Sequence, residues 1–474
     1  MSENSDTIST DVALEKGERP SDVLEKAFDH LGGIDKIIQK NDVVFIKISF
    51  KRPQGFPANV NYDSLGKLID LCRQAGAKKI YVGDFPADGN NSDILADITG
   101  LRCFLESKTA IIANLEDKEL FPSRPISING KQVQVPSIIL DADRLIVLNQ
   151  VNVHPLFTYS LSYLNIFTLI SNKYQKIQKN VRPGKDYLHL DQYKQDLITH
   201  ILAVSTIKPP TLVINDLFYV MEGAGPQIYK DSRCKQTNLC VLGKNPYLVD
   251  SVTLKLIGEK ISDNALLLEA RDLQSKQIDL DEIKVLGESI PDVKFKLQKC
   301  ASKLEDIEVK NCFLKKGRYC SGCHEKAYHF LNFLKSNMTK DLKYMGYFSF
   351  LIGEAPSDPD VESDIILFGD CAVESTKDRD FRNIIIPQKQ KKITKIMRKL
   401  NKAQKTQSQR SKKKTVKNKR VLELPGCPPD LNKCYDMLLK YYGKHTVPNL
   451  KLLDSLKRSI DIDQNYRKTR KKKG

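Results

Sequence analysis

The sequence predicts an α/β protein: an open, mostly parallel sheet domain followed by a second, smaller α/β (flavodoxin-like) domain. Three observations carry this expectation. Runs such as "DVVFIKISF", "RLIVLNQVN" and "TLVINDLFYV" are near-continuous apolar stretches rich in β-branched residues, as strands covered on both faces require. Capped helical segments alternate with such runs from Ser21 onward. After Cys300 the same alternation starts again, with "EDIEVKN" strand-like.

Residues 1–17 are polar and acidic and are expected to be disordered. "SDVLEKAFDHLG" opens on a serine cap and closes on glycine, so a helix is expected there. "DVVFIKISF" follows as a buried strand, then the helix "YDSLGKLIDLCRQAGA", the strand "KKIYVGDF" and a helix over about 92–105. "AIIANL" reads as a strand and "ISINGKQVQV" as a hairpin turned on Asn129-Gly130. "RLIVLNQVN", "TLVINDLFYV" and "NLCVLGK" are further strands, with helices near 189–204 and 246–257. Polar groups collect at the carboxyl ends of these strands: Lys47 to Ser49, Asp84, Asn149 to His154, Asn215 and Asp216. Open α/β sheets bind ligands at such ends. "MEGAGP" lacks both Gly-Lys-Ser/Thr and G-x-G-x-x-G, and Pro226 removes a backbone donor. It reads as a turn capping the sheet or, alternatively, as a loop facing a ligand.

The phrases "VFIKISF", "AGAKKIYVGD", "DADRLIVLNQVNVH", "LSYLNIFTLI", "LVINDLFYVMEGAGP" and "GKNPYLVDSVTLKLIG" occur in one order over residues 40–260. In that order they resemble the domain-of-unknown-function 362 family. Two positions depart from the family pattern. Asn152-Val153-His154 stands where the family usually has Lys-x-His, and Leu164-Asn165 where it has Lys-Asn. The resemblance implies a fold and an association with iron–sulfur modules, and little chemistry. Lys47, Asp84, His154, Asn165, Asp216 and Asp250 are the candidate ligand contacts, with Asp84 and His154 the candidate catalytic pair. For Asp250 and Asp216 the competing expectation is structural, a helix start and a turn cap.

The 474 residues carry 76 Lys and Arg against 58 Asp and Glu, a net charge of +18. That excess is local. Residues 388–420 hold 15 basic residues and no acid, and the tail "RKTRKKKG" holds 6 more. Without these 21 the rest has 55 basic against 58 acidic residues, a net of −3. The segment from 388 to 420 is therefore an insert of low complexity, either a solvated excursion or a grip on nucleic acid or an acidic partner by counterion release. It has no interleaved aromatics for base stacking. No run of about 20 apolar residues is present, so no membrane-spanning helix is expected. The polar N-terminus has no secretory pattern, and a cytoplasmic location is expected.

Eleven cysteines in such a chain are read as core residues or metal ligands rather than disulfides. Cys72, Cys103, Cys234, Cys240, Cys300, Cys312 and Cys434 stand apart and are expected to be small buried hydrophobes. The other four lie in "CSGCHE", "GDCAVES" and "PGCPP". In this order the three phrases resemble the iron–sulfur module shared by the nickel–iron hydrogenase small subunit and the twenty-kilodalton subunit of respiratory complex I. The resemblance implies that Cys320, Cys323, Cys371 and Cys427 ligate one [4Fe–4S] cluster. Soft thiolates suit such a cube, and glycines beside them allow close backbone approach. Zinc is the alternative metal for four thiolates. A thioredoxin-like dithiol is set aside because the pair is expected to lie outside the start of a helix in a βαβ unit. His324 is expected to be an exposed helix-start histidine.

The domains expected are a disordered 1–17, an α/β domain over 18–300, an iron–sulfur domain over 301–387 and 421–458, the basic insert 388–420 and a basic tail 459–474. The function expected is electron transfer, or a cluster-dependent oxidoreductase served by a redox partner protein. The rival is a nucleic-acid-binding protein with a structural metal.

Overall fold

The computed structural model describes residues 10–87, 90–170, 190–274, 283–338, 342, 346–359, 363–382 and 420–442. Eight strands form the larger sheet: β1 (Asp11–Lys16), β2 (Val43–Ile48), β3 (Lys79–Gly83), β4 (Ile111–Ile112), β5 (Arg144–Gln150), β6 (Leu212–Asp216), β7 (Leu239–Gly243) and β8 (Lys284–Gly287). Their spatial order is β8-β1-β7-β6-β5-β2-β3-β4. All neighbours pair in parallel except β7, which runs antiparallel to both β6 and β1.

The continuous apolar runs arise because both faces of this sheet are covered. Phe45, Leu145, Val147 and Val213 point into one apolar core, whereas Val44, Ile46, Ile146, Leu148 and Ile214 point into another. Strand alternation sends neighbours to opposite faces, so each must be apolar. Lys47, Asn149 and Asn215 continue the first of these faces at the strands' carboxyl ends. There the sheet exchanges packing for hydrogen bonding. The helix Pro246–Ile257 packs over this region, capped by the Asn245 side chain and closed by Gly258 at φ +86°.

The Asn129-Gly130 turn is as expected. Both residues have positive φ (48° and 73°), and they join Ser123–Ile128 to Lys131–Pro136. Three expectations are corrected. Residues within the segment expected to be disordered form β1, held between β7 and β8 with Val12, Ala13 and Leu14 buried. "NLCVLGK" is a strand, but an antiparallel one. "EDIEVKN" is not a strand, since Leu304–Asp306 is a short 3-10 turn and the next strand begins at Cys312.

The second sheet contains β9 (Cys312–Lys316), β10 (Phe348–Ile352), β11 (Asp364–Phe368) and β12 (Val421–Leu424), all parallel and in chain order. The helix Ser321–Asn337 crosses from β9 to β10 and buries Phe330, Leu331 and Leu334 in a core with Phe350 and Phe368. Of the basic insert only Arg420 lies within the described residues. It packs over the Tyr441 ring. The rest of the insert and the tail 459–474 lie outside them. Among the described residues no helix is long and apolar enough to cross a membrane.

The two sheets meet along the Ser321–Asn337 helix. The Tyr328 hydroxyl donates to the Gly225 carbonyl at 3.0 Å, and the Cys300 thiol donates to the same oxygen at 3.2 Å. Lys335 pairs with Asp231 at 2.6 Å.

Candidate functional site

In a parallel sheet every carboxyl end lies on one edge. The segments after β9, β11 and β12 therefore bring Cys320 and Cys323, Cys371, and Cys427 to the same edge of the second sheet. Gly369, at φ +90°, makes room there: a Cβ on it would stand 3.3 Å from the Cys323 sulfur. The Asp370 carboxylate accepts from the Gly426 amide at 2.6 Å and ties two of the segments together.

The thiols sense one another. Cys320 is drawn down to about 6, first by the Cys323 thiol donating to it, with burial opposing and nearby backbone amides assisting. Cys323 is held well above the usual thiol range by that same bond, by burial, and by Cys320, Cys371 and Cys427. Cys371 is pushed up to about 12 by burial, then by Cys427 and Cys320. Thiols crowded as Cys323 and Cys371 are, each raised by its neighbours, are ones that a cation or cationic core would stabilise in the deprotonated form. Among the described residues, no group of three or more His, Cys, Asp or Glu side chains is arranged to hold a metal ion.

The pair does open a helix, contrary to the sequence expectation. Cys320 is the N-cap and Cys323 lies in the first turn of Ser321–Asn337, within the β9–helix–β10 unit. Cysteine is not among the usual capping residues, so the helix start was illegible. Cys371 sits in the short helix Asp370–Ser375. His324 is buried, not exposed. It is 1% accessible, stacks on Tyr319 with ring centres 6.0 Å apart, and is lowered to about 4 by burial. Among the described residues its Nδ1 has no hydrogen-bond partner. Of the cysteines expected in the core, Cys72, Cys240 and Cys434 are buried, Cys300 and Cys312 are half-buried, and Cys103 and Cys234 are exposed.

The larger sheet builds a second polar centre. The Lys47 ammonium is fully buried and donates to Asp84 Oδ1 at 2.5 Å, Asn165 Oδ1 at 2.6 Å and Thr168 Oγ1 at 2.7 Å. Lys51 reaches the same carboxylate at 2.7 Å and Thr168 at 2.9 Å. Asp84 also accepts from the Phe50 and Phe85 amides. Burial pulls Lys47 down to about 7, with Asp84 opposing and Lys51 adding to the fall. Beside this network lies a cavity of about 170 Å³. Ser49, Lys51, Arg52, Asn149, Asn152 and His154 line it from the larger sheet, and Glu325 and His329 line it from the Ser321–Asn337 helix.

These strand-end residues fall in a stretch with a known counterpart. Residues 44–255 match the family described as Domain of unknown function (DUF362). Among solved structures, the chain is similar to the lactate racemase apoprotein from Thermoanaerobacterium thermosaccharolyticum at 14% identity and a TM-score of 0.31. That likeness covers 50% of this chain and 56% of the other, so the chain spans little more than half of that protein's length. No curated protein matches the chain.

Within the matched region the predicted residues separate by position. His154 and Asn165 line the cavity, while Lys47 and Asp84 stand behind its wall. His154 Nδ1 accepts from the Leu156 and Phe157 amides at 3.2 and 3.3 Å, which sets a neutral ring with its proton on Nε2. Asp216 accepts from Ser64 and from the Phe218 amide, capping a turn. Asp250 accepts from the Ser162 and Tyr163 amides at a helix start and from Asn215 at 2.8 Å. Neither lines the cavity. The loop "MEGAGP" does face it, through Pro226, with Gln227 beside. Lys51, Arg52, Gln227, Glu325 and His329 were not among the sequence candidates. They come from three separate segments, and no local motif joins them.

Proposed function

We propose that this is an iron–sulfur protein in which Cys320, Cys323, Cys371 and Cys427 hold one [4Fe–4S] cluster, serving one-electron transfer to or from a ligand in the cavity. The observation that carries this reading is the Ser321–Asn337 helix. Its start bears Cys320 and Cys323, and its next turns present Glu325 and His329 to the cavity. One rigid element thus links a sulfur edge to a ligand site. The donor set fits the cluster. A cube takes one thiolate at each iron corner and so spaces its ligands more widely than a mononuclear ion does. Gly369 supplies the close approach, and the helix N-terminus favours the thiolate at Cys320. When bound, the cluster supplies a single-electron couple. The chain's own residues hold the ligand, exclude water and carry protons, with Glu325 and His329 placed for the last. A redox partner protein would deliver or collect the electron.

The test is anaerobic purification or reconstitution, followed by iron and sulfide analysis and EPR before and after dithionite. About four irons and four sulfides per chain are expected, lost on Cys371→Ala or Cys427→Ala and kept on Cys434→Ala. Zinc alone, in colourless protein, would overturn the reading.

A second reading is favoured by one observation, the placement of the CxxC pair at a helix start with Cys320 drawn down to about 6. It makes the pair a dithiol–disulfide couple. That couple would survive Cys371→Ala and Cys427→Ala, which the cluster would not.

A further inference from the structure

The cavity's size, charge and lining narrow what it can take, and this step rests on reading it as the ligand site. Its volume of about 170 Å³ is room for roughly five or six waters. That is below the ~300–1,000 Å³ of drug-sized ligand sites and suits a small ligand. On the charge side, Lys47, Lys51 and Arg52 stand against Asp84 and Glu325. Among the side chains that line the cavity, Lys51 and Arg52 against Glu325 leave one positive charge in surplus. Lys51 is fixed in place by Asp84 and Thr168, and Arg52 lines the cavity beside it. Part of the wall is apolar, from Leu156, Phe157, Leu197 and Ile201.

We propose that the ligand is a small organic monoanion, a carboxylate whose head sits against Lys51 and Arg52 and whose short apolar body lies against Phe157, Leu197 and Ile201. An arginine fork presents two parallel donors to a planar carboxylate. A single surplus positive charge is neutralised by a monoanion, whereas a phosphate dianion would leave the wall net negative.

The experiment is titration calorimetry on the full chain as purified, repeated after cluster reconstitution. The probes are propionate, benzoate, benzamide and inorganic phosphate. A carboxylate is expected to bind, benzamide to bind about tenfold more weakly than benzoate, and phosphate more weakly still. Arg52→Gln should weaken benzoate about tenfold and leave benzamide nearly unchanged. Arg52→Lys, which keeps the charge without the fork, should fall between. Equal affinity for benzoate and benzamide, tighter binding of phosphate, no binding of any probe, or no effect of Arg52→Gln in folded protein would each overturn the proposal. Should Arg52→Gln fail to fold, Arg52→Lys and the salt dependence of benzoate binding decide it. Because the first titration needs no cluster, protein that takes up no iron yet binds benzoate sinks only the iron–sulfur reading. Protein that takes up iron but binds no carboxylate sinks only this one.

Discussion

The Lys47 ammonium and the Asp84 carboxylate lie 2.5 Å apart, and neither side chain is reached by solvent. A buried pair of this kind is costly to form and costlier to break from one side. Asp84→Ala would leave an uncompensated ammonium beside Lys51 and should destabilise the protein by about 3–5 kcal/mol, measured by chemical denaturation. The pH dependence has a definite sign. In the folded state Lys47 titrates at about 7, against 10.5 for an ordinary lysine. Between those values the unfolded chain binds more protons, so this site makes stability rise with pH from about 7 to 10.5 and contributes no slope below that window. Lys47→Met should flatten that rise. An unchanged profile would show that the ammonium titrates normally in the fold.

Asp250 gives the opposite slope at lower pH. Burial lifts it to about 6 from an ordinary 3.8, against the hydrogen bonds from Asn215, Ser162 and Tyr163. Over that interval the folded state binds the extra proton, so this group makes stability fall as pH rises from about 4 to about 6. Asp250→Asn should remove this fall, at a cost of about 1–2 kcal/mol at neutral pH from the mismatched amide beside Asn215. Denaturation midpoints at three pH values across the window would check both.

These two carboxylates show what was legible in the sequence and what was not. The fold class was readable because a sheet covered on both faces forces continuous apolar strands. β1 escaped because its apolar stretch, Val12 to Leu14, is three residues long within a polar, acidic segment. Strand ends rich in Lys, Asp and Asn marked the right edge of the sheet. They did not say which side chains face a ligand and which hold the backbone: Asp216 and Asp250 cap local structure, whereas Asn165 and His154 reach the cavity. The far wall was hidden for another reason. Glu325 and His329 enter it only because the second domain's helix docks through Tyr328 on the Gly225 carbonyl, a tertiary contact between segments 103 residues apart.

Gly369 tests the sulfur edge without touching a sulfur. Its φ of +90° is left-handed, and an added Cβ would press on Cys323 at 3.3 Å. Gly369→Ala should cost about 1–2 kcal/mol from backbone strain. It should also cut iron uptake under reconstitution, because the substituent occupies the space beside Cys323. Gly346 offers a control. It also has positive φ, at 72°, but among the described residues nothing stands within 4 Å of where its Cβ would be. Gly346→Ala should carry the strain and leave iron uptake unchanged. Equal loss of iron in both variants would mean that the effect is general destabilisation rather than crowding at the sulfur.

His154 joins the cavity to the backbone that shapes it, so its two roles have to be separated. Its Nδ1 accepts from the Leu156 and Phe157 amides, and its proton therefore lies on Nε2. His154→Ala leaves two amides without that acceptor and should lower stability by about 1 kcal/mol. Asparagine at the same position can accept from the amide two residues on, as in an Asx-turn, so His154→Asn should recover most of the loss. Neither variant keeps the ring. If the Nε2 proton donates to a bound carboxylate, both should weaken benzoate binding about fivefold, whatever their stability. Thermal unfolding and calorimetry on the two variants together decide it. Recovered stability with weakened binding assigns the ring to the ligand, whereas recovered stability with unchanged binding confines His154 to holding the turn.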